Sequence, residues 1–303
     1  MFIIFKQVII LFLFAVVGYT LCKSNIVRSE HSQILSKLLV YVFLPCNIIK
    51  TYSSNFKQKY VIDNYKIIVF SIIILLCLSI TMHFAAKLFS KDAYDRKVYE
   101  YSLMIPNFGY MGYALAEAFL GSKGLMNMMM FAIPVSCYVY IFGFSNLTKR
   151  PLTLKNMVNP VIVSMVLGMI IGLSDIQLPD FLYSFLVKSS SCMAPVSMLL
   201  AGIVVSEFSL RSMLKKKTIY ILAFVRLILI PILLGIISSR FFGIETMQSA
   251  ILLYAMPCGL NTIVFPKLVD ENCEIGAGVA FVTNILACVS IPLVFAVFNI
   301  VKL

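Results

Sequence analysis

The chain has no tryptophan and only two histidines, and just 13% of its residues are charged. Acid is scarcest, with 13 Asp and Glu against 25 Lys and Arg. There is no HExxH, no GxSxG and no GxxxxGK[ST] in it. The zinc protease, the serine-hydrolase elbow and the nucleotide-driven pump therefore have no footing here. The eight cysteines (22, 46, 77, 137, 192, 258, 273 and 288) form no CxxC. They fall mostly inside apolar runs and read as small core residues rather than disulfides or metal ligands. No A-x-A-like cleavage site follows the N-terminal apolar run, which reads as a first span. Soluble domains, linkers and low-complexity tracts are missing, and no cofactor is implied.

What is present is apolar: 61% of residues are hydrophobic. Several runs reach the roughly 20 residues that cross a bilayer almost without charge. This is the composition of an integral membrane protein. The net charge of +12 would suggest nucleic acid in a soluble chain. Here the basic residues sit in short loops between apolar runs, where they set topology, and no nucleic-acid partner is expected.

Ten spans can be drawn, over 3–22, 34–54, 67–86, 98–119, 125–147, 157–174, 181–205, 218–238, 249–268 and 275–301. The loops after the odd-numbered spans carry fifteen Lys and Arg, Lys155 among them, and the opposite side carries eight, Lys302 among them. The positive-inside rule then places both termini outside the cytoplasm. A faint duplication runs through the chain: Pro45 and Pro195, and Gly18 and Gly168, are 150 residues apart, and Pro106 and Pro257 are 151 apart. Five spans is an odd number, so the halves 1–147 and 152–303 would be inverted in the membrane.

Two spans cannot be regular helices. Ser102–Gly121 carries Pro106, Asn107, Gly109 and Gly112, and Ala250–Leu268 carries Pro257, Cys258, Gly259, Asn261 and Pro266. Proline removes an N–H and collides with the carbonyl four residues back. Broken helix inside a bilayer is tolerated only where it is packed in protein or lines a wet cavity. Two interrupted segments at matching places in two halves mark the substrate site of a secondary transporter. Each second half-helix aims free N–H groups and partial positive charge at the midplane, which suits a carboxylate. Asn107 and Asn261 then either bind the anion or only satisfy the broken backbone. Gly109, Cys258 and Gly259 are the backbone candidates, with Pro106, Gly112 and Pro257 as the helix breakers.

PNFGYMGYALAEAFLG (106–121) resembles the fourth span of the auxin efflux carrier family, and MPCGLNTIVFPKLVDEN (256–272) its ninth. NPVIVSMVLGMIIGL (159–173), VRLILIPILL (225–234) and LVYVFLPCNI (39–48) are similar to its sixth, eighth and second spans. These segments recur in order over nearly the whole chain. The resemblance implies an all-α fold of ten membrane helices in two inverted five-helix repeats, as in bile-acid and sodium/proton carriers, with broken helices 4 and 9 crossing. Spans 1, 2, 6 and 7 would form a scaffold and a homodimer surface, and spans 3–5 and 8–10 a moving domain. It also implies a small organic anion as substrate, a place in the plasma or bacterial inner membrane, Asn47 as a loose counterpart of a polar contact in span 2, and an aromatic contact at Tyr140 or Tyr138. The chain departs from the plant members in carrying Thr262 where a second proline is usual. It also lacks the long cytosolic loop that many of them carry after span 5, and in this it resembles the compact bacterial type.

Ionisable groups inside the membrane need a reason, since each costs roughly 2.5–3.5 kcal/mol at the bilayer centre. Glu117 either takes up a proton during transport or sits paired or solvated near the outer interface. Arg226 snorkels, pairs with a helix C-terminus or attracts the anion. Lys188 lies where snorkelling is expected. Neither break contains Asp or Glu, which disfavours sodium held by carboxylates. A sodium-coupled bile-acid-type symporter and an anion channel are the alternatives to an anion carrier.

Overall fold

The structure, a computed structural model, describes residues 2–153 and 159–301. Lys155, the first residues of the sixth span and Lys302 lie outside the described residues. Among the described residues all regular structure is helical, apart from one isolated antiparallel β-bridge between Pro106 and Cys258. The helices are α1 (Phe2–Lys23), α2 (Ser29–Asn55), α3 (Gln58–Ala86), α4 (Ala93–Met104), α5 (Phe108–Thr148) and α6 (Pro160–Leu173). They continue with α7 (Asp180–Ser206), α8 (Leu210–Lys215), α9 (Lys217–Ser239), α10 (Ile244–Ala255), α11 (Asn261–Leu268) and α12 (Glu274–Val301). Six of these, α2, α3, α5, α7, α9 and α12, are long and apolar enough to cross a membrane.

One boundary differs from those drawn on hydropathy, and one expected break falls within a longer helix. α3 starts at Gln58, not at 67, because the polar stretch ahead of the apolar run is itself helical and bends at Asn64 (φ −119°). α5 covers the second part of the fourth expected span and all of the fifth, with the expected break inside it. Its 41 residues would be roughly 60 Å long if straight, twice the hydrocarbon thickness. Gly121, at φ 70°, divides it into two helices. Only glycine adopts that conformation without strain.

Prolines act where the chain would lead one to look. Ile105, before Pro106, is extended (φ −100°, ψ 117°) and ends α4; Met256, before Pro257, is extended (φ −60°, ψ 148°) and ends α10. Clash with the proline ring drives the preceding residue out of the helical region. Pro45 and Pro231 instead stay inside helices, each just after a π-helical turn, Leu39–Phe43 and Val225–Leu229. The wider turn relieves the collision with the carbonyl behind it.

The burial pattern is that of a protein whose solvent is apolar. α3 exposes Ile62, Ile73, Leu76, Ile80 and Phe84, whereas Leu252, Leu253 and Ala255 on α10 and Phe265 on α11 are wholly enclosed. The broken segments thus lie at the centre and the continuous apolar helices around them.

α1 packs along α7, and α6 along α2, at glycine distance. A Cβ on Gly18 would stand 2.2 Å from the Leu199 carbonyl oxygen, and one on Gly168 would stand 3.2 Å from the Ile49 Cα. α1 and α6 end at Lys23 and Leu173, and each is followed by a residue in left-handed backbone, Asn25 (φ 57°) and Asp175 (φ 53°). Gly202 on α7 is tighter still, since its Cβ would lie 1.9 Å from the Ala15 carbonyl oxygen. Gly202→Val should therefore lower the melting temperature of the purified protein by several degrees, on the order of 2 kcal/mol of overpacking. Gly243→Ser is the control: a Cβ there meets nothing within 4 Å, and serine suits the N-cap of α10, so stability should hold or rise.

Candidate functional site

The two breaks are held to each other. The Asn107 N–H donates to the Pro257 carbonyl (2.9 Å), and the Gly259 N–H donates to the Ile105 carbonyl (3.1 Å). The Cys258 N–H donates to Thr283 Oγ1 on α12 (3.2 Å). Peptide groups freed by the two prolines thus satisfy one another where no water is available. Cys258 and Gly259 are buried in this bridge; Gly259 sits against the Ile105 and Pro106 carbonyls, with 3.5 Å to a Cβ built on it. Beyond the first break the chain re-enters a helix by a π turn, Phe108–Gly112, closed by the Gly112 N–H on the Asn107 carbonyl (3.0 Å). Gly112 packs so closely on Met128 that a Cβ would reach within 2.6 Å of its methyl.

Beside this turn lies a cavity of about 260 Å³ between α2, the start of α5 and the first half of α7. Asn47, Lys50 and Thr51 line it from α2; Gly109, Tyr110, Tyr113 and Glu117 from α5; Ser190 and Ser191 from α7. The Ser190 hydroxyl donates to Asn47 Oδ1 (2.7 Å), which leaves the Asn47 amide N–H₂ free to donate. Lys50 is half-buried at the wall. Glu117 is exposed and takes part in no ion pair among the described residues. The first-turn N–H groups of α5 have no partner within the helix, and Gly109 brings that turn to the cavity surface without a side chain.

Behind the cavity is a buried polar cluster. Asn261 donates through Nδ2 to the Tyr101 hydroxyl (2.9 Å) and accepts on Oδ1 from the Tyr110 hydroxyl (2.8 Å). The Tyr140 hydroxyl lies 4.0 Å from where a Cβ on Gly109 would be. Tyr140 sits in a π turn, Val139–Gly143, and its carbonyl accepts from Asn159 Nδ2 (2.8 Å). The same Asn159 caps α6 through Oδ1, 3.0 Å from the Val161 and Ile162 N–H groups. The asparagine–proline at 159–160 thus starts one helix and ties it to the tyrosine cluster.

Of the candidates read from sequence, Asn47, Gly109 and Glu117 share the cavity, and Asn261 and Tyr140 stand one layer behind it. The two asparagines at the breaks differ. Asn261 is fully engaged by two tyrosines, whereas Asn107 is 1% exposed and neither of its side-chain polar atoms has a hydrogen-bond partner. Arg226 is apart from the cavity. It does not snorkel: it is 0% exposed, and none of its three nitrogens has a hydrogen-bond partner. Its site in the middle of α9, under α10 and α12, is too deep for the side chain to reach an interface. Lys188 is exposed, and so is His83, which pairs with Glu100 (3.1 Å).

Lys50, Thr51, Tyr110, Tyr113, Ser190 and Ser191 line the cavity without having been singled out. The serine run 189–191 inside an apolar span was the available signal. Lys50 was masked by its place among topology-setting charges. The tyrosines carry no sequence signal that separates them from packing.

Comparison with known proteins bears on these features. The family described as "Membrane transport protein" matches residues 3–152 and 144–295. An uncharacterized transporter of Methanocaldococcus jannaschii is 26% identical, over 94% of this chain and 96% of its own length. Both point to a transporter rather than an enzyme. With the family match running almost end to end, the chain belongs to the membrane transport protein family, that of the auxin efflux carriers whose spans its segments resemble, and is a multi-pass membrane protein.

Proposed function

We propose that this protein is a secondary carrier of a small organic anion, a carboxylate, working by alternating access. The observation that carries this reading is the cavity beside the first break. An anion there would meet the Lys50 ammonium, the Asn47 amide N–H₂ left free by Ser190, and the N-terminal turn of α5. All of these donate hydrogen bonds to negative charge. A volume of about 260 Å³ suits a small solute rather than a large amphiphile.

Ten spans follow if α4 with the first part of α5 is one broken span, and α10 with α11 the other. Several pairs of features favour an inverted duplication over 1–147 and 152–303. Gly18 meets Leu199 as Gly168 meets Ile49, with both members shifted by 150 residues. The ends of α1 and α6, and the left-handed residues after them, share the same shift. In this reading α1, α2, α6 and α7 form the scaffold, with a homodimer surface on it. The moving domain carries the crossing breaks, and the chain lies in the plasma membrane with both termini outside.

A thermal-shift panel of mono- and dicarboxylates on purified protein tests the substrate class. A true ligand at 100 times its Kd should add about 2.7 kcal/mol of stability. No carboxylate giving a shift would count against it. Lys50→Gln should raise the KM for uptake into proteoliposomes by roughly 10–100-fold, the worth of one hydrogen bond to a charged group; an unchanged KM would take the ammonium out of the site. Asn107→Ala removes no hydrogen bond seen here, so folding should be unaffected. Loss of saturable uptake in that variant would show the amide engaged in another state, and normal kinetics would dismiss it. Pro106→Ala should let α4 continue helically and cut the transport rate; an unaltered rate would contradict a functional break.

A further inference from the structure

Resting on the alternating-access reading, we propose that Lys57 and Glu117 are the ion pair that latches the cavity face shut in the opposite state, the counterpart of the Lys267–Glu207 pair that latches the other face here. Lys267 and Glu207 are 2.7 Å apart, with only 13% and 19% of their side chains exposed. They join α11 to the end of α7. The same end of the molecule is closed by Ser36 donating to the Val264 carbonyl (2.5 Å) and Gln33 Nε2 donating to the Leu268 carbonyl (3.5 Å). α11 is thus clamped to the start of α2 and the end of α7. At the other ends of α2 and α7 no ion pair to α5 is formed among the described residues. The cavity separates them from the first turns of α5, and Glu117 is exposed there.

The registers of the two pairs coincide. Lys57 and Glu207 each follow a proline, Pro45 and Pro195, by twelve residues. Glu117 follows Pro106 by eleven residues and Lys267 follows Pro257 by ten. The π turn Phe108–Gly112 takes up that difference, because a π turn holds one residue more than an α turn and α11 contains none. Glu117 on α5 therefore matches Lys267 on α11, and Lys57 matches Glu207, with the charges exchanged between moving and scaffold elements. In this structure Lys57 is borrowed by Asp175 (2.5 Å), with side chains 38% and 73% exposed. A pair so exposed is weak and readily exchanged. Lys50 also lines the cavity and is the competing partner for Glu117.

Accessibility of the cavity tests the latch without any substrate. In full-length Ser190→Cys protein, the rate of maleimide labelling at position 190 is read by peptide-resolved mass spectrometry. Lys57→Glu and Glu117→Lys, each alone, should hold the cavity open and speed labelling about threefold or more, and the combined reversal should restore the original rate. Glu207→Gln, which weakens the other latch, should slow labelling. Lys57→Gln and Glu117→Gln give the same direction should either reversal fail to fold. Unchanged labelling in the single variants, a double reversal no better than its parents, or rescue of Glu117→Lys by Lys50→Glu in place of Lys57→Glu overturns the pair. A labelling pattern as expected, with no carboxylate transported, would instead reject the substrate class and leave the latch standing.

Discussion

Backbone groups that cannot reach water have to be paired, and in a bilayer this single requirement organises the molecule. Pro106 and Pro257 each strip hydrogen bonds from a helix at membrane depth. The freed carbonyls and amides of Ile105, Asn107, Pro257 and Gly259 find partners only because the two breaks lie side by side. From that follows the placement of nearly everything else. The broken segments must be central, so the long apolar helices stand outside them. The first helix restarts with a π turn, and this brings a side-chain-free glycine to the edge of a cavity that Lys50, Asn47 and Glu117 share.

Polar groups around the breaks divide into satisfied and unsatisfied ones, and the division is informative. Asn261 is locked between two tyrosine hydroxyls, so its amide acts as a strut between the second break and α5. Asn107 and Arg226 are enclosed without partners. Enclosing an unpaired guanidinium in a low-dielectric core is expensive. In the alternating-access reading proposed above, groups orphaned in one arrangement are those whose partners belong to another. The proposed latch fits the same reading, with Lys267 and Glu207 paired at one end of α2 and α7 and Glu117, among the described residues, in no ion pair at the other.

Much of the fold was legible before any coordinates. Proline chemistry announced both breaks to within a residue, because the clash with the preceding residue is local. Hydropathy alone misplaced the start of α3, because helix formation follows backbone geometry and packing rather than apolarity and the polar stretch from Gln58 is itself helical. The break it drew between 119 and 125 is there, at Gly121. The site was only half legible. Asn47, Gly109 and Glu117 were named and do share a cavity, whereas Lys50 counted only among the charges that set topology, and Tyr110 and Tyr113 went unnamed. Nothing in a residue's neighbours along the chain tells whether its side chain faces lipid, protein or a cavity.

The sequence by itself determined that this chain lives in a membrane, that it is helical and that two of its helices break, since apolar run length and proline sterics act over a few residues. Tertiary structure alone decided which freed peptide groups meet, which charges are enclosed and which end of the molecule is open. Those depend on contacts between segments some 150 residues apart along the chain, such as Asn107 with Pro257, and on one-residue register shifts like the π turn at Phe108–Gly112, which no local pattern encodes.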